Sequence, residues 1–316
     1  MELIEGVSLS HLCDYSFGDQ SGQWGNIYTS FMKGANLNNL EFISNLHEIK
    51  KSRDYMTLFI DNIRLYKRHI VGVKDSDRSY VNDLMEESNL LELCSQFPDM
   101  RFIIFTNLED TPIDDYIFDC IPENVLCISA VNAVSNGGKV IPAPYGVQRR
   151  ISPQDNRIEI LNYFIENRDS DPSNLLYVSH SENTNKERKG IKKLFVNKIW
   201  AKVDLETVNY LLFLQNLNDS KFMICPIGNA IDCHRNWEVI YMRRVPIMKK
   251  NSYLEILYKD YPVLFVDTYE EVTQKLLLDN DDLFQEAQKI KIEKWMLPNY
   301  YNNIVSSVIK NTNTFK

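Results

Sequence analysis

The sequence predicts an α/β protein built on mostly parallel sheets and divided into two halves. Three observations carry this. Short apolar runs alternate along the chain with amphipathic stretches, the pattern of strands joined by crossover helices. The chain has 316 residues, too many for one ordinary domain. Near its middle, AVSNGGKVIPAPYGVQRR crowds Gly137, Gly138, Pro142, Pro144 and Gly146 together, as a domain connection does. Hydrophobic residues make up 44% and charged residues 25%, which excludes a disordered chain, a fibre or a disulfide-dense miniprotein. The net charge of −8 argues against nucleic acid as partner, because phosphate attraction supplies most of that affinity.

The elements follow in order. VSLSHLCDYSF reads as a strand, and GDQSGQWGN as a glycine-rich loop before the helical NIYTSFMKGAN. MTLFID is a buried strand ending at Asp61. SYVNDLMEESNLLELCSQF sets Val81, Leu84, Leu90, Leu91 and Cys94 along one helical face, and MRFIIFTN and NVLCISAVN are buried strands. After the Pro/Gly cluster, EILNYFIENRD is helical and LLYVSHS a strand. KGIKKLFVNKIWA and VDLETVNYLLFLQNLNDS read as two helices. KFMICPIG is a strand and turn, CHRNWEVIYMRR a helix, VPIMKK and PVLFVD strands, and the remainder helical. Residues 1–145 and 146–290 form the expected halves, with 291–316 a helical segment that packs back on the first.

The N-terminus has no basic head and no continuous apolar stretch, so no secretory signal is predicted. No window approaches the ~18 apolar residues of a membrane span. The six cysteines form no CxxC pair, and a reducing cytoplasm is the expected compartment.

The stretch 221–250 carries the most chemistry. Residues 222–225 are a strand, and Pro226, Gly228 and Asn229 make a turn. Asp232 is placed as N-cap of a helix beginning at Cys233. Cys233, Trp237 and Tyr241 recur at i, i+4 and i+8 and line the packed face. His234 and Glu238 share another face, with Arg235 beside Glu238. A helix N-terminus carrying Arg235 and His234 suits a diphosphate, and Glu238 one turn on suits a ribose diol. The competing reading is a surface ion pair between Arg235 and Glu238 beside a capped helix.

This string resembles the donor-binding region of exostosin-like glycosyltransferases. The residues that carry the resemblance are Cys225-Pro226-x-Gly228, Asp232-Cys233-His234-Arg235-x-Trp237-Glu238 and Val245-Pro246-Ile247, with a weaker match upstream in LYVSHSENTNKERKGI, where Arg188 is the corresponding arginine. The N-terminal half is similar only in general α/β character. The resemblance implies the soluble form of the family, as in bacteria and large DNA viruses of algae, with GT-B architecture: two Rossmann-like domains facing a cleft. It implies an inverting transfer from a nucleotide-sugar, usually a UDP-sugar, to a hydroxyl of a glycan acceptor. Arg188 and Arg235 would hold the diphosphate and Glu238 the ribose, with Gly228, Asn229, Asp232 and His234 completing the donor site. No metal and no cofactor are implied, since the guanidiniums and the helix start stabilise the leaving group.

Inversion needs a general base for the acceptor hydroxyl. Asp61 at a strand end, Asp75 in VKDSDRS and Asp19 in the glycine-rich loop are the candidates, with Asp77 behind them; taken singly, each fits a turn or cap aspartate better than a base. Asp75-Ser76-Asp77 is also a DxD tripeptide, which in the other large glycosyltransferase architecture holds a cation. The basic run ENTNKERKGIKKLFVNK is expected to keep Arg188 for the diphosphate and leave its lysines to water. Two rivals stand beside the transferase: a sugar-nucleotide epimerase of the same architecture, and a catalytically silent binding protein.

Overall fold

The computed structural model describes residues 2–4, 8–17, 40–61, 65, 90–107, 110, 112–113, 115–133, 137–148 and 156–313. They fall into two compact units. One comprises Ile4–Ala143 with Leu297–Lys316, the other Met1–Leu3 with Pro144–Met296.

The first unit holds a five-stranded, all-parallel sheet of β1 (Tyr15–Ser16), β2 (Tyr55–Asp61), β3 (Arg101–Asn107), β4 (Val125–Ala130) and β5 (Val140–Pro142), lying side by side in chain order. The three central strands are apolar on both faces, as a covered parallel sheet requires: Met56, Leu58, Phe59, Ile60, Phe102, Ile103, Ile104, Phe105 and Ile128 are buried. Helices α1 (Leu40–Lys50), α2 (Leu90–Ser95) and α3 (Ile117–Cys120) flank these strands in sequence. Asn124 donates from Nδ2 to the carbonyls of Cys94, Phe97 and Met100, which ties the end of α2 and the turn after it to the segment before β4. The run VSLSHLCDYSF, expected to be one strand, holds a 3-10 turn over Ser8–His11 followed by the two residues of β1. Asp14 accounts for the shortening. Its Oδ2 accepts from the Thr57 amide at 2.7 Å and the Thr57 hydroxyl at 2.8 Å, and Oδ1 pairs with Arg53.

The second unit holds β6 (Asn174–Val178), β7 (Ala201–Val203), β8 (Ser220–Ile224), β9 (Val245–Lys249) and β10 (Leu264–Val266), again all parallel, but in the order β10-β9-β8-β6-β7. The chain winds outward from β6 to β7, then returns past β6 to lay down β8, β9 and β10 on the other side. Winding therefore reverses between β6 and β8, and open α/β sheets bind ligands beyond the strand carboxyl ends at such a reversal. Between the strands lie α5 (Ile191–Phe195), α6 (Tyr210–Asn218), α7 (His234–Tyr241) and α8 (Ser252–Leu257); α4 (Arg157–Glu166) precedes β6, and α9 (Gln274–Asp279) and α10 (Asp281–Lys289) follow β10.

KGIKKLFVNKIWA, expected to be one helix, is instead the five residues of α5, and the chain then enters β7. The helix expected from Val203 begins at Tyr210, where the Asn209 side chain accepts from the Leu212 amide and fixes the start. At its other end Arg244 is completely buried and donates to the carbonyls of Asp169 and Asn218, both at 2.7 Å. Helix α11 (Leu297–Asn313) belongs with the first unit. Tyr301 pairs with Thr57 of β2 at 3.0 Å and Tyr300 with Ser129 of β4 at 2.8 Å. No helix among the described residues is long and apolar enough to cross a membrane.

Candidate functional site

The reversal between β6 and β8 brings together the segment after β6, residues 179–190, and the segment after β8, residues 225–235. Arg188 joins them. It is buried, and its Nε donates to the Ile227 carbonyl at 2.7 Å, Nη2 to the Pro226 carbonyl at 2.8 Å and Nη1 to the Ser181 carbonyl at 3.3 Å, with the Cys233 sulfur 3.7 Å from Nη2. Asn185 adds a bond from Nδ2 to the Gly228 carbonyl at 2.8 Å. Gly228 is required by this closeness: a Cβ there would lie 2.9 Å from Arg188 Nη2 and 3.0 Å from Cys233 Sγ. Asn229 is exposed at the tip of the same turn.

No carboxylate pairs with Arg188 among the described residues; its partners are carbonyls and a thiol. Burial depresses its pKa, with Arg235 adding to the effect and Cys233, Cys225 and Tyr269 opposing it. Arg244 makes the contrast plain. Burial lowers it too, to about 10, but Asp169 and Asp219 face it and offset part of the cost. At Arg188 burial is opposed by the thiols of Cys233 and Cys225 and the phenol of Tyr269, with no carboxylate among them.

Arg235, on the first turn of α7, reaches back to the end of β6. Its Nη1 donates to the Ser179 carbonyl at 2.7 Å, and its guanidinium lies over the Phe213 ring at 4.1 Å. Nε lies 3.7 Å from Glu238 Oε2. The side chain of Arg235 is 35% exposed and that of Glu238 only 5%, so the pair is not the surface ion pair that spacing alone allows. Burial pushes the Glu238 carboxyl up, and Arg235, the Tyr210 hydroxyl and Arg157 pull it back. Arg157 in turn lies over the Tyr210 ring at 5.2 Å.

Asp232 does not cap the helix in the expected way. The N-cap residue is Cys233, and α7 starts at His234. Asp232 is completely buried, and its carboxylate accepts from the Tyr145 amide at 2.9 Å, Asn236 Nδ2 at 3.1 Å, Trp237 Nε1 at 2.7 Å and the Tyr258 hydroxyl. It ties the start of the unit to α7 and α8, a structural role. His234 Nδ1 lies 2.9 Å from the Gly146 carbonyl, an acceptor, so a proton sits at Nδ1, and Tyr145 packs on the ring at 4.5 Å. Trp237 and Tyr241 are fully buried on the packed face that their spacing predicts.

The lysines of the basic run are not all left to water. Lys192 is buried and donates from Nζ to the Leu205 carbonyl at 3.2 Å. Of the candidate bases, Asp19, Asp75 and Asp77 lie outside the described residues, while Asp61 ends β2 with its backbone in register with Asn107. Among the described residues no three His, Cys, Asp or Glu side chains gather in a metal-holding cluster. Sequence reasoning missed His180, Ser179 and Phe213. A histidine leaving an apolar strand was the available signal for His180. Phe213 gave none, since it meets Arg235 only through the fold.

No family model matches the chain, and no curated protein matches it in sequence.

Proposed function

We propose that the C-terminal unit binds a nucleoside diphosphate beyond the ends of β6 and β8, and that the protein is a metal-independent, inverting glycosyltransferase of GT-B type using a UDP-sugar donor and a glycan hydroxyl as acceptor. The supporting observation is the placement of two arginines at the winding reversal. Arg188 is buried against carbonyls and a thiol with no carboxylate partner among the described residues, and Arg235 is half-exposed, fixed by Ser179 and Phe213. Positive charge held there ahead of any ligand favours a group that arrives anionic and leaves more so. Glu238, one turn along α7 and 3.7 Å from Arg235 Nε, serves as acceptor for a ribose diol.

A departing UDP is more negative in the transition state than when esterified to the sugar. Arg235 and Arg188 therefore act most strongly on turnover. The base is one of Asp61, Asp75 and Asp19 in the N-terminal half, and the reaction proceeds without a metal or other cofactor. The test is a panel of UDP- and GDP-sugars followed by thermal shift and by release of UDP. UDP is expected to raise the melting temperature by mass action. Glu238→Ala is expected to weaken UDP by about 1–3 kcal/mol, the range for hydrogen bonds to a charged group. Transfer or donor hydrolysis is expected to survive excess EDTA. Equilibration of one UDP-sugar with its isomer would make the protein an epimerase, and binding without turnover would make it a silent binding protein.

A further inference from the structure

His180 is the second residue beyond β6, between the two residues whose carbonyls hold the arginines: Ser179 accepts from Arg235 and Ser181 from Arg188. It is 6% exposed, and neither ring nitrogen has a hydrogen-bond partner. The Arg188 backbone lies near enough to pull the ring's pKa up against burial, yet it does not reach hydrogen-bond geometry. A buried imidazole with both nitrogens unmet is costly, and such a group calls for a partner that the folded chain alone does not supply. The charged groups facing it are Arg188, Lys192 and Glu182. Arg188 and Lys192 are themselves buried against carbonyls, and Glu182 Oε1 accepts from the Gly190 amide at 3.1 Å. Two buried cations and an unpartnered imidazole thus follow one strand end, with Glu182 the carboxylate that acts on the ring and Glu187 paired with Lys249.

We infer that His180 is a ligand-binding residue whose ring donates a hydrogen bond to an oxyanion held beside Arg188 at the winding reversal. This rests on the reading of that place as a diphosphate site. Burial, then the charge of Arg188, pushes the imidazole down to about 4, so at neutral pH the ring is uncharged and carries one N–H to give. A neutral donor adds a hydrogen bond to an ionised oxygen without adding a third buried positive charge to those of Arg188 and Lys192. The residue is distinct from the arginines: they bring charge to the site, and His180 brings a directed donor whose own partner is missing until the ligand arrives.

Inorganic pyrophosphate is the probe, titrated calorimetrically at pH 7.5 into the full chain and into His180→Phe and His180→Asn. The phenyl ring fills the space without a donor, and the asparagine amide restores one. Pyrophosphate is expected to bind about tenfold more weakly to His180→Phe, the equivalent of one hydrogen bond to an ionised group, with partial recovery in His180→Asn. In the unsubstituted chain, pyrophosphate is expected to shift the ring 15N resonances of the histidine whose signals disappear in His180→Phe, which a purely structural ring would not show. Equal affinity in all three proteins overturns the inference. Binding of pyrophosphate as tight as that of UDP, with the tenfold loss in His180→Phe, supports the inference and overturns the nucleotide reading. Binding of neither overturns both.

Discussion

The two sheets have the same number of strands, all parallel, yet among the residues described only the second reverses its winding. In the first sheet the strands follow chain order, β1 to β5, with no reversal. In the second the chain turns back past β6. The polar groups differ accordingly. Around β2 and β4 they pair with one another, Asp14 with Thr57 and Arg53, and Thr57 and Ser129 with the tyrosines of α11. Beyond β6 and β8 Arg235 pairs with Glu238, but Arg188 meets carbonyls and a thiol, and the ring nitrogens of His180 have no hydrogen-bond partner. Equal strand number and equal strand direction therefore do not make equal sites. Where winding reverses, adjacent crossovers leave on opposite faces and open a crevice between strand ends.

The contrast stands or falls first on Asp232, the buried carboxylate of the second unit whose partners make it scaffold rather than site. Asp232→Ala leaves the Tyr145 amide, Asn236, Trp237 and Tyr258 without their acceptor. A loss of roughly 3–5 kcal/mol is expected in urea unfolding, as for removal of one partner from a buried charged network. A loss below about 1 kcal/mol would return Asp232 to the ligand site.

His180 gives the next largest effect, and it depends on pH. Its folded value of about 4 lies below the ordinary 6.5. Between those values the unfolded chain binds the proton and the folded chain does not, so stability falls as pH drops through that window and is retained above it. Integrated over the window, the loss is roughly 2–3 kcal/mol. Asp232 and Glu238, whose carboxyls burial pushes up, act in the opposite direction but are common to both proteins. The difference between the wild-type chain and His180→Phe isolates the histidine. The variant is expected to lack this acid loss in unfolding measured from pH 7 to pH 4.5, and parallel curves would place the ring in contact with water.

Gly228→Ala is a smaller perturbation that joins scaffold to site. The added methyl meets Arg188 Nη2 and Cys233 Sγ, and Arg188 is tethered by three carbonyls. About 1–2 kcal/mol of destabilisation is expected, as for modest overpacking, together with weaker UDP binding in calorimetry. Unchanged UDP affinity would separate the Arg188 clasp from the ligand.

The smallest effect belongs to the first sheet. Tyr301→Phe removes the hydroxyl paired with Thr57 and is expected to cost about 0.5–1.5 kcal/mol in thermal unfolding while leaving UDP affinity unchanged. A drop in UDP affinity in this variant would contradict the assignment of the two units to different tasks.

Much of the fold was legible in the order of residues. The apolar runs at 56–61, 101–107, 125–130, 174–178 and 220–224 are strands because a covered parallel strand must be apolar on both faces. The i, i+4 spacing of Trp237 and Tyr241 placed them inward, since helical period needs no partner to be read. What escaped was short or distant. Strand β7 is three residues at a sheet edge, too brief to show a period, yet it alone makes β6 an inner strand and so creates the reversal. Asp232 carries the residue type of a cap, and two of its partners, Tyr145 and Tyr258, lie far away in sequence. Spacing left Glu238 open between a site residue and a surface ion pair, because burial of a helix face is decided by what packs against it, here Tyr210 and Arg235. Local pattern, set by neighbours along the chain, determined the strands, the packed face of α7 and the glycine turn. Only the tertiary structure decided which strand ends stand side by side, and with them which charges are compensated and which histidine is left without a partner, because desolvation and pairing depend on groups the chain brings together from opposite ends of the unit.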